Sequence, residues 1–374
     1  MTAEDATATL QDLVRALEAR GPHEAIVTIA HGRATALSYA ELGQRALALA
    51  RGLVESGVRP GDPVVLFGPN SPDWIIVRLA LGAMGALATA LDDLLTDAEL
   101  ATLLPDSGAR LVFAASAHVE RVAKLSPAPA IYRLDGPVDV TQPAAHWSSL
   151  IREAGPLPAL AADQPVALLY PSGTTGTPKS FVLSHANILT NVHALAAFKL
   201  VGPEDRALLP LPLHHVYPLT VGLLTSLVSG TTLVLPEAVT GPQLVEALRL
   251  GRITVMVGVP RLYSALASGL EARVAARGAL ARRAFAALLV LSIFVRRRFG
   301  VRLGRWLFAG LHRQLAPGLR LMASGGARLE ADLIWKLEGL GWEVLSGYGL
   351  AETAFAVRII VQWLFSDIDY GKKK

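Results

Sequence analysis

Cysteine is absent from the 374 residues, which excludes disulfides, thiolate nucleophiles and cysteine-ligated metal sites. No G-x-S-x-G elbow surrounds any serine, so the hydrolase arrangement built on it is excluded too. The first residues, M-T-A-E-D, lack the basic and apolar regions of a signal peptide, and a cytoplasmic protein is expected. Acid is missing from one long interval. Between Glu271 and Glu330 there is no aspartate, glutamate or lysine, yet there are twelve arginines. The formal charge of +4 is therefore local, and the rest of the chain is net negative. Such a block marks a surface for anionic partners. It is rich in alanine and leucine rather than in aromatics set between the arginines, so nucleic acid is not an expected partner.

Long apolar runs are scarce as well. The longest stretch free of Lys, Arg, Asp and Glu, residues 207–236, is broken by Pro218, Gly222 and Gly230. It reads as a buried helix, a turn and a strand rather than a membrane span. The uncharged run 284–295 is too short to span and is bracketed by Arg282, Arg283 and Arg296, Arg297, Arg298. A helical hairpin packed on the core is the favoured reading. An interfacial helix at the headgroups of an anionic membrane is the other.

What is present is an alternation of short apolar strands and helices. Ser38 with Glu41, and Thr96 with Glu99, are capping boxes that open helices. Pro72 after Ser71 starts another. Apolar runs at 64–67, 111–114, 166–169, 207–209, 232–235, 254–257, 319–322 and 342–345 read as strands buried on both faces, which implies parallel α/β sheets. Two lobes are expected, 1–163 and 164–356, with an arginine-rich helical insertion at 271–318 and an atypical tail at 357–374.

Between the runs 166–169 and 181–183 lies a segment suited to phosphates. It holds Ser172, Gly173, Thr174, Thr175, Gly176, Thr177, Lys179 and Ser180. Glycines admit an anion to the backbone N–H groups, hydroxyls add donors and lysine adds a compact charge. Gly173, Lys179 and Ser180 match the Walker A spacing, but Pro178 stands where that motif needs its second glycine. The β-like run 181–183 also replaces the helix that should follow.

Two further segments follow apolar strands: Ser324, Gly325, Gly326, Ala327, and a run from Ser346 through Tyr348, Gly349 and Glu352 to Thr353. Ligands bind at the carboxyl ends of strands in open α/β sheets. Tyr348 between glycines offers a flat face to a base, and Glu352 suits Mg²⁺. His214 and His215 are adjacent. In an extended segment their rings would point apart, which argues against zinc.

The 170–184 loop resembles, nearly letter for letter, the phosphate-binding motif of the adenylate-forming superfamily. That group includes acyl-CoA synthetases, peptide-synthetase adenylation domains and luciferases. The resemblance covers roughly residues 25–355 and implies two stacked αβαβα subdomains with largely parallel sheets. It implies ATP-dependent activation of a carboxylic acid to an acyl-adenylate, with Mg²⁺ as cofactor and CoA as acceptor. Residues 172–177 and Lys179 would hold the phosphates. Residues 324–327, Tyr348, Gly349 and Thr353 would line the nucleotide pocket, and Glu352 would bind the metal. His214, His215 and Tyr217 would position the acyl group, with His215 and Lys179 as the catalytic candidates. Ala351 departs from the threonine usual in the family. The insertion and the segment 259–263 resemble the long-chain fatty acyl-CoA synthetase branch, so a fatty acid is the expected substrate. An adenylation domain loading a carrier protein, or an inactive nucleotide-binding scaffold, are the alternatives. The resemblance ends after Thr353, where the family's ribose-binding Thr-Gly-Asp segment and C-terminal lid would follow, so a truncated, incomplete enzyme is expected.

Overall fold

The computed structural model describes residues 7–136, 144–170, 180–348 and 358–360. Helix α1 (Leu10–Glu18) is opened by Thr9, which exchanges hydrogen bonds with Asp12. Strands β1 (Glu24–Ala30) and β2 (Arg33–Ser38) form an antiparallel hairpin. Ser38 and Glu41 then close the expected capping box of α2 (Tyr39–Glu55). A βα rhythm follows: β3 (Pro63–Phe67), α3 (Pro72–Met84), β4 (Leu87–Leu91), α4 (Asp97–Asp106), β5 (Leu111–Ala114), α5 (Val119–Ala123), β6 (Ala130–Arg133) and β7 (Ala145–His146). Strands β8 (Pro165–Leu169) and β9 (Phe181–Ser184) are antiparallel and bracket the hydroxyl-rich loop.

The second half opens with α6 (His185–Ala197) and β10 (Arg206–Leu208). A π-helical segment, Pro218–Leu224, runs into α7 (Thr225–Ser229) and then β11 (Thr232–Pro236), as the helix–turn–strand reading expects. Next come α8 (Gly241–Leu250), β12 (Val255–Gly258), α9 (Pro260–Ala275), α10 (Ala279–Phe299), α11 (Gly304–Leu307), α12 (Ala309–Leu315), β13 (Leu321–Ser324), α13 (Ala331–Gly339), β14 (Glu343–Tyr348) and β15 (Arg358–Ile360).

These strands build two sheets. One has the order β7-β6-β5-β3-β4-β8-β9, the other β15-β14-β13-β12-β10-β11-β1-β2. The interior pairings are parallel, and the antiparallel partners β9, β15 and β2 sit at edges. The boundary expected at 163/164 does not separate the sheets. β1 pairs in parallel with β11, joining the second sheet, while β8 and β9 complete the first beside β4. Burial is the physical reason: Ile26, Val27 and Ile29 are covered on both faces only beside β11.

Five layers result. A shared core between the sheets holds α1, α2, α3 and α6, with Leu13, Leu42, Trp74, Ile75 and Ile188 buried. Leu100 of α4 and Val122 of α5 cover the outer face of the seven-stranded sheet. Leu248, Tyr263, Leu289, Leu315 and Leu337, from α8, α9, α10, α12 and α13, cover the outer face of the other. This is the stacked α/β architecture expected from the strand–helix alternation.

Candidate functional site

The parallel register aligns three strand ends of the larger sheet: Gly258 of β12 pairs with Ser324 of β13, and Ser324 with Ser346 of β14. Two tyrosines press against this row. A Cβ on Gly325 would lie 2.5 Å from the Tyr217 ring, and one on Gly258 would lie 2.8 Å from the Tyr263 ring. Both positions therefore need glycine. The Tyr217 hydroxyl donates to the Ala323 carbonyl at 3.2 Å, and the Tyr263 hydroxyl lies 2.8 Å from the carbonyls of both Ala323 and Met256. Burial raises both phenols well above their ordinary pKa, so they act as fixed donors. Gly326 takes φ +76°, turning the chain away at the strand end. The Ser324 hydroxyl is buried and has no hydrogen-bond partner among the described residues. An orphaned hydroxyl beside exposed backbone at a strand end fits an oxygen- or nitrogen-bearing ligand there.

The histidine pair sits at the approach to the same place, two residues before Tyr217. Residues 212–215 form a turn, not an extended segment, so the two rings are brought together. Their Nε2 atoms lie 3.1 Å apart and their centroids 4.0 Å apart. This corrects the expectation that neighbouring side chains would diverge. Burial, then the neighbouring His215, pushes the His214 pKa down to about 4, against the opposing pull of Asp92 and Asp93. The surrounding protein atoms also lower His215. Both rings are neutral near pH 7 and are suited to positioning by hydrogen bonds. Among the described residues no group of three or more His, Asp or Glu side chains could hold a metal ion.

The other sheet supplies the opposing wall, through residues that sequence reasoning did not single out. Asn70, just past β3, donates to the Leu211 carbonyl at 2.8 Å and accepts from the Leu213 amide at 2.9 Å. It clamps the histidine turn from across the two sheets. Asp92, just past β4, lies 3.8 Å from His214. Asp93 is held at 2.6 Å by His118, whose ring stacks on Phe67. All four sit at or just beyond strand ends, and strand-end position is the signal that could have found them. Tyr170, the last described residue before the hydroxyl-rich segment, donates to Asp106 at the end of α4 at 2.7 Å. Ser172, Gly173, Thr174, Thr175, Gly176, Thr177, Lys179, Gly349, Glu352 and Thr353 lie outside the described residues, as does the side chain of Tyr348. A hollow of about 690 Å³ between α1, α6 and α7 is lined in part by Asp205 and Arg320. Those residues immediately precede β10 and β13, so it opens at the opposite edge of the sheet from the site.

A two-sheet body with paired parallel strand ends and a hydroxyl-rich hairpin loop is the N-terminal architecture of adenylate-forming proteins. The sequence model of the AMP-binding enzyme family matches residues 14–372, and the chain belongs to that family. It is 32% identical over 339 residues to a feruloyl-CoA synthase of Amycolatopsis sp, covering 91% of this chain and 58% of that protein. It is 28% identical over 362 residues to the long-chain-fatty-acid–CoA ligase FadD15 of Mycobacterium bovis, covering 90% of this chain and 59% of that one. The chain thus spans less than two thirds of the length of these relatives. Its fold is that of the N-terminal domain of FACL13 from Mycobacterium tuberculosis (TM-score 0.72, 21% identity, 96% of this chain and 79% of that one).

Proposed function

We propose that this chain is the acid- and nucleotide-binding body of an AMP-forming acid–CoA ligase. The observation that carries this is the Ser324–Gly325 strand end, with its orphaned hydroxyl and side-chain-free backbone, packed on Tyr217 beside a neutral histidine pair. In this reading residues 172–177 and Lys179 take the triphosphate of ATP, and Glu352 takes Mg²⁺. Ser324 to Ala327, Tyr348, Gly349 and Thr353 line the nucleotide pocket. His214, His215 and Tyr217 orient the acid, whose carboxylate oxygen attacks the α-phosphorus and expels pyrophosphate; Lys179 offsets charge on the leaving group. The thiol of CoA then attacks the acyl carbonyl of the adenylate, forming the thioester and releasing AMP. The acid is a fatty acid, supported by the α9–α10 insertion and the FadD15 relative. A hydroxycinnamate is the second reading, favoured by the 32% identity to a feruloyl-CoA synthase.

ATP binding by calorimetry and ATP–pyrophosphate exchange, run on this chain with fatty acids, ferulate and amino acids, test it. ATP binding with exchange driven by one acid class supports the assignment. Lys179→Ala should reduce ATP affinity and exchange by at least about tenfold, the scale of one lost charge-assisted contact. A chain that binds no ATP would overturn the reading.

A further inference from the structure

The arginine-rich interval does pack on the core, yet only by one face. Phe285, Leu288, Leu289, Ile293 and Arg296 of α10 turn inward, and Arg296 pairs with Glu338 at 2.6 Å. The opposite face is not polar, as a solvated helix face would be. Leu280, Ala284, Ala287, Val290, Leu291 and Phe294 recur there at helical spacing and are exposed, Leu280 by 82% and Phe294 by 60%. Trp306, shortly after, is 84% exposed. Arg282 and Arg283 lie between Leu280 and Ala284, near the start of this stripe, and Arg298 lies beyond its far end, none in an ion pair among the described residues. Just before α10 in the chain, Arg273 and Arg277 join Arg249 and Arg313 around an open hollow of about 530 Å³ with no acidic residue in its wall. No helix of the described residues is long and apolar enough to cross a membrane.

We propose that this face of α10 docks flat on an anionic lipid bilayer, with its apolar stripe in the acyl boundary and the flanking arginines at headgroup phosphates. The chemistry favours a bilayer over a protein. An apolar strip about 20 Å long by helix rise, with arginines outside ion pairs near both of its ends, matches a surface that is apolar within and anionic at its rim. This placement is independent of the acid-activation reading, and lipid binding is measured apart from ATP binding.

The chain is sedimented with vesicles of phosphatidylcholine alone and of phosphatidylcholine mixed with phosphatidylglycerol, at low and high salt. Sedimentation is expected with the anionic vesicles and should weaken with salt. Arg282→Gln with Arg283→Gln should weaken it about fivefold per arginine, and Val290→Ser with Phe294→Ser by at least about tenfold. Because all four residues are exposed, each variant should keep the wild-type circular dichroism. Failure to bind anionic vesicles overturns the proposal, as does binding unchanged in both variants. Self-association lost in the serine variant without any vesicle binding would assign the face to a second copy and overturn it as well.

Discussion

At the scale of single residues, His185 shows how burial of one ring makes stability depend on pH. It opens α6, is fully buried, and its Nδ1 accepts the Leu10 amide at 3.0 Å, tying α1 to the start of α6. Burial, and then the nearby buried Arg78, pushes its pKa down to about 4. The unfolded chain takes up a proton near pH 6.5 that the folded chain refuses until about pH 4. The contribution of a neutral His185 is therefore complete above pH 6.5 and is lost as pH falls from there toward 4. A shift of this size corresponds to roughly 3 kcal/mol. His185→Asn keeps an acceptor for Leu10 but cannot titrate. Urea unfolding at a series of pH values should show a flatter stability profile between pH 4 and 6.5 in the variant than in the wild type. Parallel profiles would remove His185 from this role. His214, depressed for similar reasons, supplies slope to both proteins and cancels in the comparison.

At the scale of elements, the histidine turn depends on a side chain from the other sheet. Asn70 satisfies one carbonyl and one amide of residues 211–213 at once. Asn70→Ala leaves both without their partner and should cost about 1–3 kcal/mol in urea unfolding. It should also lower ATP–pyrophosphate exchange, because the turn that holds His214 and His215 is released; unchanged exchange would show that the turn keeps its shape without the clamp. Local signals of this kind divide sharply by legibility. The capping boxes at Ser38 and Thr96 and the proline start after Ser71 are written in four adjacent residues, and each stands where the sequence implies. The role of Asn70 was not legible, because its partners lie 141 and 143 residues away. The histidine rings were misjudged for a related reason: whether residues 212–215 extend or turn is decided by tertiary contacts, which no dipeptide encodes. The Ser324–Gly326 strand end, by contrast, was visible as an apolar run stopped by two glycines.

At the scale of the whole molecule, the two sheets are interwoven along the chain. The sequence shows β3, β5, β8 and β10 to β14 as short, mostly apolar runs whose two-sided burial implies parallel pairing, but β1 and β2 were not among the runs it marked. It does not show which sheet each strand joins, because the pairing of Ile26 with Leu233 spans most of the chain and leaves no local mark. An N-terminal piece ending at residue 163 would keep β1 and β2 without β11, exposing Ile26, Val27 and Ile29. It would also lose β8 beside β4, uncovering Ala88 and Thr89, and α6, whose His185 accepts the Leu10 amide of α1. A fragment of residues 1–163 should therefore lack a cooperative unfolding transition by circular dichroism and should be cleaved rapidly by proteases in the 24–38 hairpin. The same hairpin in the intact chain, held by β11 on one side, should resist cleavage under identical conditions. A fragment that folds alone with a sharp transition would show that β1 and β2 contribute little to the second sheet. The site would then depend on two separable lobes rather than on one interleaved body.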